Sequence, residues 1–351
     1  MTRLTTHGED VRRFILEHVE KHPHDISKLT AERFGITRQA VNKHLQRLAS
    51  EKALSESGKT RNRSYALSPL LEWRMRSQIS PELAEDLVWT NDVRQVIGQL
   101  PDNALDIWHY GFTEMFNNAI DHSGGTEILL RVRKTAMSTE MLLLDNGVGI
   151  FRKIQTAMNL LDERHAVLEL SKGKLTTDPR NHTGEGIFFT SRMFDSFDIV
   201  SGGVYFTHKF GDDRDWILEL EQFQTGTAVW MELNNHTSRT TRKIFDQYSS
   251  GDNLGFNKTV VPVKLAQYGN DKLISRSQAK RVLARVELFK TVVFDFEGVE
   301  TIGQAFADEI FRVFALKHPD IALLTMKTNS AVRRMIERAK SGSSPQSLSG
   351  S

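Results

Sequence analysis

One segment near the middle of the chain, EMFNNAIDHS (114–123), limits strongly what this part of the chain can form. Glu114, Asn118 and Asp121 follow one another at spacings of four and three residues, which places them on one face of a helix. The opposite face is apolar and carries Met115 among others. We therefore expect a buried helix that presents a row of polar side chains to a cleft.

Two glycine-containing segments follow this helix. LLLDNGVGI (142–150) is an apolar run that ends in an acid and two glycines. This pattern predicts a strand followed by a loop whose backbone can approach a ligand. NHTGEGIFFTSRMFD (181–195) is a glycine loop that leads into a helix, whose free backbone N–H groups favour phosphate. Together the three segments predict a nucleotide pocket.

Composition narrows the class of protein. The 351 residues are 39% hydrophobic and 26% charged, which is typical of two or three globular domains. The chain has no cysteine, which excludes disulfides, thiol nucleophiles and thiolate metal sites and fits a reducing compartment. No apolar stretch approaches the roughly 18 residues that cross a bilayer, and the polar N-terminus is unlike a signal peptide. We expect a cytoplasmic protein with no membrane partner.

Charge is distributed unevenly along the chain. Residues 1–70 hold 13 Lys and Arg against 8 Asp and Glu, a net charge of +5, whereas the remainder holds 33 against 36, or −3. A basic end favours contact with a polyanion. The Ser/Gly-rich stretch 341–351 has nothing to bury, so we predict a disordered tail.

The basic end shows three helical patterns and then a hairpin. Apolar residues at helical spacing predict helices over residues 9–21 and 25–34, and a turn at Gly35 leads to a third helix with a polar outer face. The segment LSESGKTRNRSYALS then predicts a β-hairpin with a basic tip. This order resembles a winged helix-turn-helix domain, which covers residues 1–70.

That resemblance implies binding to double-stranded DNA. The side chains that would contact bases and phosphates are Arg38, Gln39, Asn42, Lys43 and Gln46 on the third helix and Lys59, Arg61 and Arg63 at the hairpin tip. The alternative is a helical module whose charges only face solvent, or a hairpin used for protein contacts.

The pattern of residues 71–236 predicts helices and a sheet. We expect a helical connector over 71–100, a long helix over 103–122, and a mostly antiparallel sheet. The predicted strands are TEILLRVRK, TEMLLLD, FDIVSG, VYFTHKF, WILELE and TAVWMEL. The order of four motifs resembles that of the GHKL ATPase family, which includes gyrase B, Hsp90, MutL and histidine kinases. These motifs are the ExxxN helix, DNGVGI, the GEGI loop and the final GTAVWMEL strand. We assign residues 101–236 to such an ATP-binding domain.

The GHKL resemblance implies ATP and Mg²⁺ as cofactors and a role for each matching residue. Glu114 resembles the catalytic base that deprotonates the attacking hydroxyl or water, and Asn118 the Mg²⁺ ligand. Asp145 resembles the acceptor for the adenine amine, which Thr227 supports. The matching glycines would let the backbone approach the base, the sugar and the phosphates: Gly147, Gly149, Gly184 and Gly186.

Four further residues near these motifs stay open. Asp121 and His122 either line the pocket or cap a helix end, and Lys153 and Arg192 either reach phosphates or lie on exposed helix faces. The chain departs from histidine kinases because the helical hairpin with their phosphoacceptor histidine is replaced by the winged helix and a connector. The compact module is closer to the anti-sigma-factor serine kinases.

The C-terminal part alternates strand and helix after a polar linker, 237–257. Residues 258–340 predict a small α/β domain with crossover helices. Its segment VVFDFEGVETIGQAFADEIFRVF resembles STAS domains, and more closely the STAS-like DUF4325 group. STAS proteins of the anti-anti-sigma class are phosphorylated on a serine at the start of the helix, where this chain has Ile302, Gly303, Gln304 and Ala305. We therefore expect partner binding or homodimerisation from this domain, without phosphorylation at that position.

The expected fold is thus α+β and multidomain: a winged helix, a GHKL α/β sandwich with a mixed, mostly antiparallel sheet, and a small STAS-like α/β domain. The preferred function is a bacterial-type DNA-binding regulator that senses or hydrolyses ATP–Mg²⁺. The alternative is a protein serine/threonine kinase or slow ATPase in a partner-switching pathway. A third possibility is a signalling assembly in which both outer domains bind proteins.

Overall fold

The computed structural model describes residues 6–59, 62–175, 184–250, 253–267 and 272–341. Arg61 and the predicted tail beyond Ser341 lie outside these ranges. The described chain is α+β and contains an antiparallel five-stranded sheet and a parallel three-stranded sheet, which confirms the multidomain α+β class. Within the described ranges, no helix has the length and apolar character needed to cross a bilayer.

The N-terminal module consists of three helices and a two-stranded antiparallel hairpin with its own small core. Its elements are α1 Thr6–His18, α2 Ile26–Phe34, α3 Arg38–Ser50, β1 Leu54–Ser57 and β2 Ser64–Leu67. Gly35 ends α2 with a φ of +63°, a conformation that glycine adopts readily. Thr37 then caps α3, because its side chain accepts a hydrogen bond from the N–H of Ala40. The glycine and the cap together set the turn between α2 and α3.

The central module is built on the five-stranded sheet, in which every pair of neighbouring strands is antiparallel. In sheet order the strands are β3 Leu71–Gln78, β4 Glu127–Lys134, β5 Ser138–Asp145, β7 Asp212–Asn234 and β6 Ser196–Lys209. β6 and β7 are long, and each joins two of the predicted strands into one. The nearly continuous β6–β7 hairpin therefore forms one edge of the sheet, and β3 forms the other.

The edge strand β3 corrects the prediction of a helical connector over 71–100. The first eight residues of that segment pair with β4. Leu71, Trp73 and Met75 alternate with charged residues, and this period of two fits a half-buried strand rather than a helix. Helix appears only later in the segment, as α4 Glu85–Val88 and α5 Arg94–Ile97 with a π-helical turn between them.

Four helices complete the central module: α6 Asp102–Asn117, α7 Ile150–Met158, α8 Glu163–Lys172 and α9 Gly186–Met193. The helix α6 packs one side into the core of the module, where Trp108, Phe112 and Phe116 are fully buried. At its end the helix widens into a π-helical turn, Asn118–His122. Such turns are frequent at functional sites. The predicted long helix is therefore present, with a change of geometry at Asn118.

Residues 237–257, predicted as a linker, fold onto the central module. They form α10 Thr241–Gln247, β8 Ser249–Ser250 and β9 Asn253–Phe256. Phe245, Tyr248 and Phe256 pack against Phe188 and Phe189 of α9, with ring centroids 4.5 to 6.0 Å apart. Three aromatic residues spaced among polar ones give little periodic signal, which is why the sequence predicts a linker here.

The C-terminal unit has three parallel strands joined by helices, as the alternating pattern predicts. The strands, in sheet order, are β10 Lys258–Pro262, β11 Thr291–Asp295 and β12 Ala322–Met326. Its helices are α11 Arg276–Leu283, α12 Gln304–Asp308, α13 Ala315–Lys317 and α14 Ser330–Ser341, with a π-helical turn between α12 and α13. One continuous cluster of buried apolar side chains runs from Val88 to Ala339, so this unit shares its core with the central module.

A buried ionic network joins α8 to the C-terminal unit. Lys172 is completely buried, and its Nζ donates to Glu169 Oε1 at 2.7 Å and to the carbonyl oxygens of Arg281 and Ala284 at 2.9 and 2.8 Å. Arg285 donates to Glu169 Oε2 at 3.1 Å. Burial lowers the pKa of Lys172, and the charge of Glu169 opposes that shift. Each charge is thus matched by a partner in the other part of the molecule or on its own helix.

Candidate functional site

One cavity, of about 280 Å³, gathers most of the predicted pocket residues of the central module. The helix α6 supplies Glu114, the π-helical turn after it supplies Asn118, and the end of β5 supplies Asp145. Thr227 of β7 and the glycines before α9, Gly184 and Gly186, complete this set. The three sequence segments are therefore adjacent in space although their lining residues span positions 114 to 187 of the chain.

Asp145 is the buried acid of this cavity, with 3% of its surface exposed. Its Oδ1 accepts hydrogen bonds from the N–H of Gly147 at 2.8 Å and of Thr227 at 3.3 Å. Burial raises the pKa of Asp145, and these backbone hydrogen bonds partly oppose the rise. The carboxylate is thus oriented by backbone groups of two strand ends, and Thr227 Oγ1 in turn accepts from the N–H of Ile150 at 3.0 Å.

Gly147 and Gly149 do not line the cavity, but they shape the loop behind Asp145. A Cβ atom on Gly147 would lie 2.2 Å from the carbonyl oxygen of Ser123, which is closer than van der Waals contact allows. Gly149 has a φ of +95° just before α7. Both positions therefore need glycine for the backbone to pass between neighbouring segments.

Gly186 lies directly against the carboxylate of Glu114. A Cβ atom there would be 1.9 Å from Glu114 Oε2, so a side chain at position 186 would displace that carboxylate. The charges of Glu114 and Glu185, after burial, contribute to a raised pKa for Tyr110. The start of α9 and the last turn of α6 are therefore packed closely around the acidic group.

Gly184 is held near Leu175 in the same way. The N–H of Leu175 donates to the carbonyl oxygen of Gly184 at 2.9 Å, and Gly184 has a φ of +70°. Residues 176–183, between these two, lie outside the described residues, and they include the start of the third motif.

The remainder of the wall is mostly apolar, and apart from His122 and Lys153, which the sequence left open, it was not predicted from the sequence. It comprises Met115, Ala119, Leu143, Ile150, Ile154, Leu170, Leu175, Ile187, Ile199 and Val229, together with His122, Ser123 and Lys153. These residues come from almost every element of the module, so only the tertiary fold brings them together. An apolar wall with a few polar groups is typical of small-molecule pockets.

Of the four residues that the sequence left open, two line this cavity. They are His122 and Lys153, and Lys153 Nζ donates to the carbonyl oxygen of His122 at 2.5 Å. Asp121 is exposed and lies outside the lining. Arg192 is buried at the far end of α9, where it lines a different cavity.

The five predicted DNA-contacting residues of α3 are all exposed: Arg38, Gln39, Asn42, Lys43 and Gln46. Asn42 Oδ1 accepts from Ser27 Oγ at 3.2 Å, which ties this residue to α2. Burial and the charges of Arg12 and Arg47 lower the pKa of His44 on the same helix. Both arginines also pair with Glu51, at the end of α3.

At the hairpin, Lys59 and Arg63 are also exposed, but Arg63 forms an ion pair with Glu56 at 2.9 Å. Arg61 lies outside the described residues. The hairpin tip thus presents less free positive charge than the sequence suggests.

In the C-terminal unit, the start of the helix after β11 carries no hydroxyl group. Gly303 precedes α12, which begins at Gln304, and Ile302 is buried at 5% exposure. Thr301 lies just before these residues and is exposed.

Comparison with known proteins yields one family match. No curated protein matches the chain. Residues 278–333, from the middle of α11 into α14, match the family described as the STAS-like domain of unknown function (DUF4325). These residues cover two of the three parallel strands and the helices around them. The C-terminal unit of this chain therefore contains a STAS-like domain of the DUF4325 family.

Proposed function

We propose that the chain is a DNA-binding regulator whose central module binds ATP with Mg²⁺. The observation that carries the proposal is the single cavity in which Glu114, Asn118, Asp145 and Thr227 meet the glycines at the start of α9. The order of these residues in the chain resembles the GHKL family, and their proximity in space is what a nucleotide site of that kind requires.

The residues of the cavity fit such a ligand. The apolar wall and the buried Asp145 suit a planar base with an exocyclic amine, because a carboxylate accepts the hydrogen bond that an amine donates. Lys153 and the start of α9 offer a cation and backbone N–H groups for phosphates. The volume of about 280 Å³ is close to the lower bound of roughly 300 Å³ for small-molecule pockets.

Asn118 would hold the magnesium ion through its amide oxygen, a ligand type suited to this hard cation. The ion would neutralise phosphate charge beside Glu114. Glu114 would orient a water or hydroxyl group, and in the enzymatic form of the proposal it accepts the proton as that group attacks the terminal phosphate.

Binding of ATP–Mg²⁺ is tested by titrating the purified chain with γ-labelled ATP, with and without MgCl₂. Asn118→Ala should weaken magnesium-dependent binding by about tenfold or more, since a direct metal ligand is lost. Asn117→Ala is the matched control, because the neighbouring Asn117 does not line the cavity. Equal affinity of wild type and Asn118→Ala would contradict the proposed role of Asn118, and absence of ATP binding by the wild type would contradict the nucleotide site.

The second candidate function is a serine/threonine kinase or a slow ATPase, and the position of Glu114 in the cavity favours it. Glu114→Ala should retain ATP binding and lose released phosphate or labelled protein. Glu114→Gln, which keeps the size of the side chain, should lose them as well. A binding switch without chemistry would release no phosphate and label no protein even in the wild type.

DNA binding would belong to the exposed face of α3. Lys43→Ala should weaken binding to a duplex and reduce the slope of log affinity against log salt by about one. Lys28→Ala removes the same charge from α2, on another helix of the same module, and should leave that slope nearly unchanged. A wild-type chain that binds no duplex at low salt would instead favour the protein-docking alternative.

A further inference from the structure

A second cavity, of about 230 Å³, lies between the central module and the C-terminal unit. The end of α9, the turn between β6 and β7, α10 and the three parallel strands all contribute to its wall. The nucleotide cavity and this one share no lining residue. It therefore needs an explanation of its own.

The parallel sheet contributes the carboxyl ends of its strands to this cavity. Pro262, Asp295 and Met326 end β10, β11 and β12, lie beside one another in register, and all line the cavity. In open α/β sheets, ligands bind in the crevice outside the carboxyl ends of the strands. The carboxyl ends of the three strands therefore form one wall of this cavity.

Arg192 supplies a buried positive charge to the cavity. Only 8% of its surface is exposed, and its guanidinium stacks on Phe188 with a distance of 3.8 Å to the ring centroid. Its hydrogen bonds go to the carbonyl oxygens of Phe188 and Ser171 and to Ser191 Oγ, at 3.1, 3.4 and 2.8 Å. These three bonds leave part of the five-donor fork unused.

All three acceptors are neutral, so Arg192 has no carboxylate partner among the described residues. Buried charges in proteins are usually paired. The other charged groups of the lining, Asp295 and Lys327, are paired with each other at 3.4 Å, and Lys327 Nζ also lies 2.7 Å from Glu297 Oε2. Among the described residues, Arg192 is therefore the cation of this lining whose guanidinium has no ionic partner.

We propose that this cavity is a binding site for a small organic anion, whose carboxylate or phosphate group is held by Arg192. The apolar body of the ligand would lie against Phe210 and Tyr248 and the aliphatic residues Val260, Pro262 and Met326. Gln247 adds a polar group that can orient it. The site is independent of the proposed ATP function, because no residue is common to the two cavities.

The test uses benzoate and phenyl phosphate as probes and benzamide as a neutral probe of the same shape. Binding to the full chain is measured by calorimetry at constant ionic strength. At least one of the two anions should bind, and benzamide should bind at least about tenfold more weakly, since it lacks the charge. The anion that binds more tightly identifies carboxylate or phosphate as the preferred group.

Arg192→Gln should abolish binding of the preferred anion. Arg242→Gln is the matched control, because Arg242 lies on the neighbouring α10 with 90% of its side chain exposed. If Arg192→Gln does not fold, Val260→Phe fills the cavity from the sheet side without removing any bond of Arg192, and it should also abolish binding. The proposal is overturned if neither anion binds, if benzamide binds equally well, or if binding survives in the folded variants.

Discussion

The two ends of the chain are attached to the central sheet in different ways. The N-terminal module has a separate core, and Met137, in the turn between β4 and β5, is the residue outside the module that packs against it among those described. The C-terminal unit shares one core with the central module and is joined to it by the buried network of Lys172, Glu169 and Arg285.

This difference indicates different roles for the two ends. Among the described residues, this module has its own core and one apolar side-chain contact with the remainder, so its orientation depends on few apolar contacts. The C-terminal unit is attached more extensively, because Arg285 also donates to the carbonyl oxygens of Gly173 and Lys174, next to Leu175 in the wall of the nucleotide cavity. It is best regarded as a structural part of the central module.

The largest expected effect comes from breaking the buried network. Lys172→Ala should lower the free energy of unfolding by about 3 to 5 kcal/mol, because Glu169 Oε1 loses an ionic partner and the carbonyl oxygens of Arg281 and Ala284 lose their buried donor. Denaturant unfolding of the whole chain measures this loss. The exposed Arg242→Ala should change it by less than about 0.5 kcal/mol. A loss below 1 kcal/mol for Lys172→Ala would mean that the C-terminal unit is not held in this way.

A smaller effect is expected at the contact of the N-terminal module. Met137→Ala should cost only about 1 kcal/mol, since Met137 is half-buried, and it should mainly loosen the N-terminal module. Hydrogen exchange, resolved by segment, should show faster exchange in α1 to α3 and unchanged exchange in the parallel sheet. Faster exchange throughout the chain would contradict the independence of the two cores.

The variant Asp145→Asn tests whether Asp145 serves ligand binding rather than the stability of the central sheet. A carboxyl group whose pKa is raised in the folded state binds protons more tightly there than in the unfolded chain. Its contribution to stability therefore falls as the pH rises from the unfolded pKa, about 3.9 for Asp, through the raised folded pKa.

Asparagine removes this titration and keeps an oxygen that accepts from Gly147 and Thr227. We expect unchanged or slightly higher stability at pH 7, a flatter stability–pH profile between pH 4 and 7, and loss of ATP binding. Thermal unfolding across that pH range measures the first two. A clear loss of stability at pH 7 would show that Asp145 is needed for the fold rather than for a ligand.

The smallest effect on stability is expected on the outer face of the N-terminal module. Lys43→Ala should change the free energy of unfolding by less than about 0.5 kcal/mol, because its side chain is exposed on α3. Duplex binding by the same variant should fall. A stability loss of several kcal/mol would show that Lys43 has a structural role.

Much of the local structure could be predicted from the sequence. The spacing of Glu114 and Asn118, the glycines at 184 and 186, and the strand–helix alternation after residue 257 depend on neighbouring residues and on backbone conformation. Because these signals depend only on neighbouring residues, they can be recognised in the sequence without knowledge of the fold. The extent of α6 and the parallel order of the last three strands agree with them.

The errors arise where the partner of a segment is distant in the chain. The sequence predicts residues 71–78 as part of a connector, because the strand with which they pair, β4, lies some fifty residues later in the chain. The aromatic residues of 237–257 have no evident role until they meet α9. The sequence left open whether Arg192 reaches phosphates in the first cavity. In the structure Arg192 lies at the end of α9 and lines the second cavity.

By itself the sequence determined the helical and strand character of most segments, the acid and glycine motifs, and the basic character of the N-terminal end. These follow from side-chain periodicity, from the conformational freedom of glycine and from charge, all of which act over a few residues. Only the tertiary structure decided that the C-terminal unit shares the central core, that Lys172 is paired within it, and that a second cavity opens at the carboxyl ends of the parallel strands. Each of these depends on contacts between residues far apart in the chain, which no local pattern specifies.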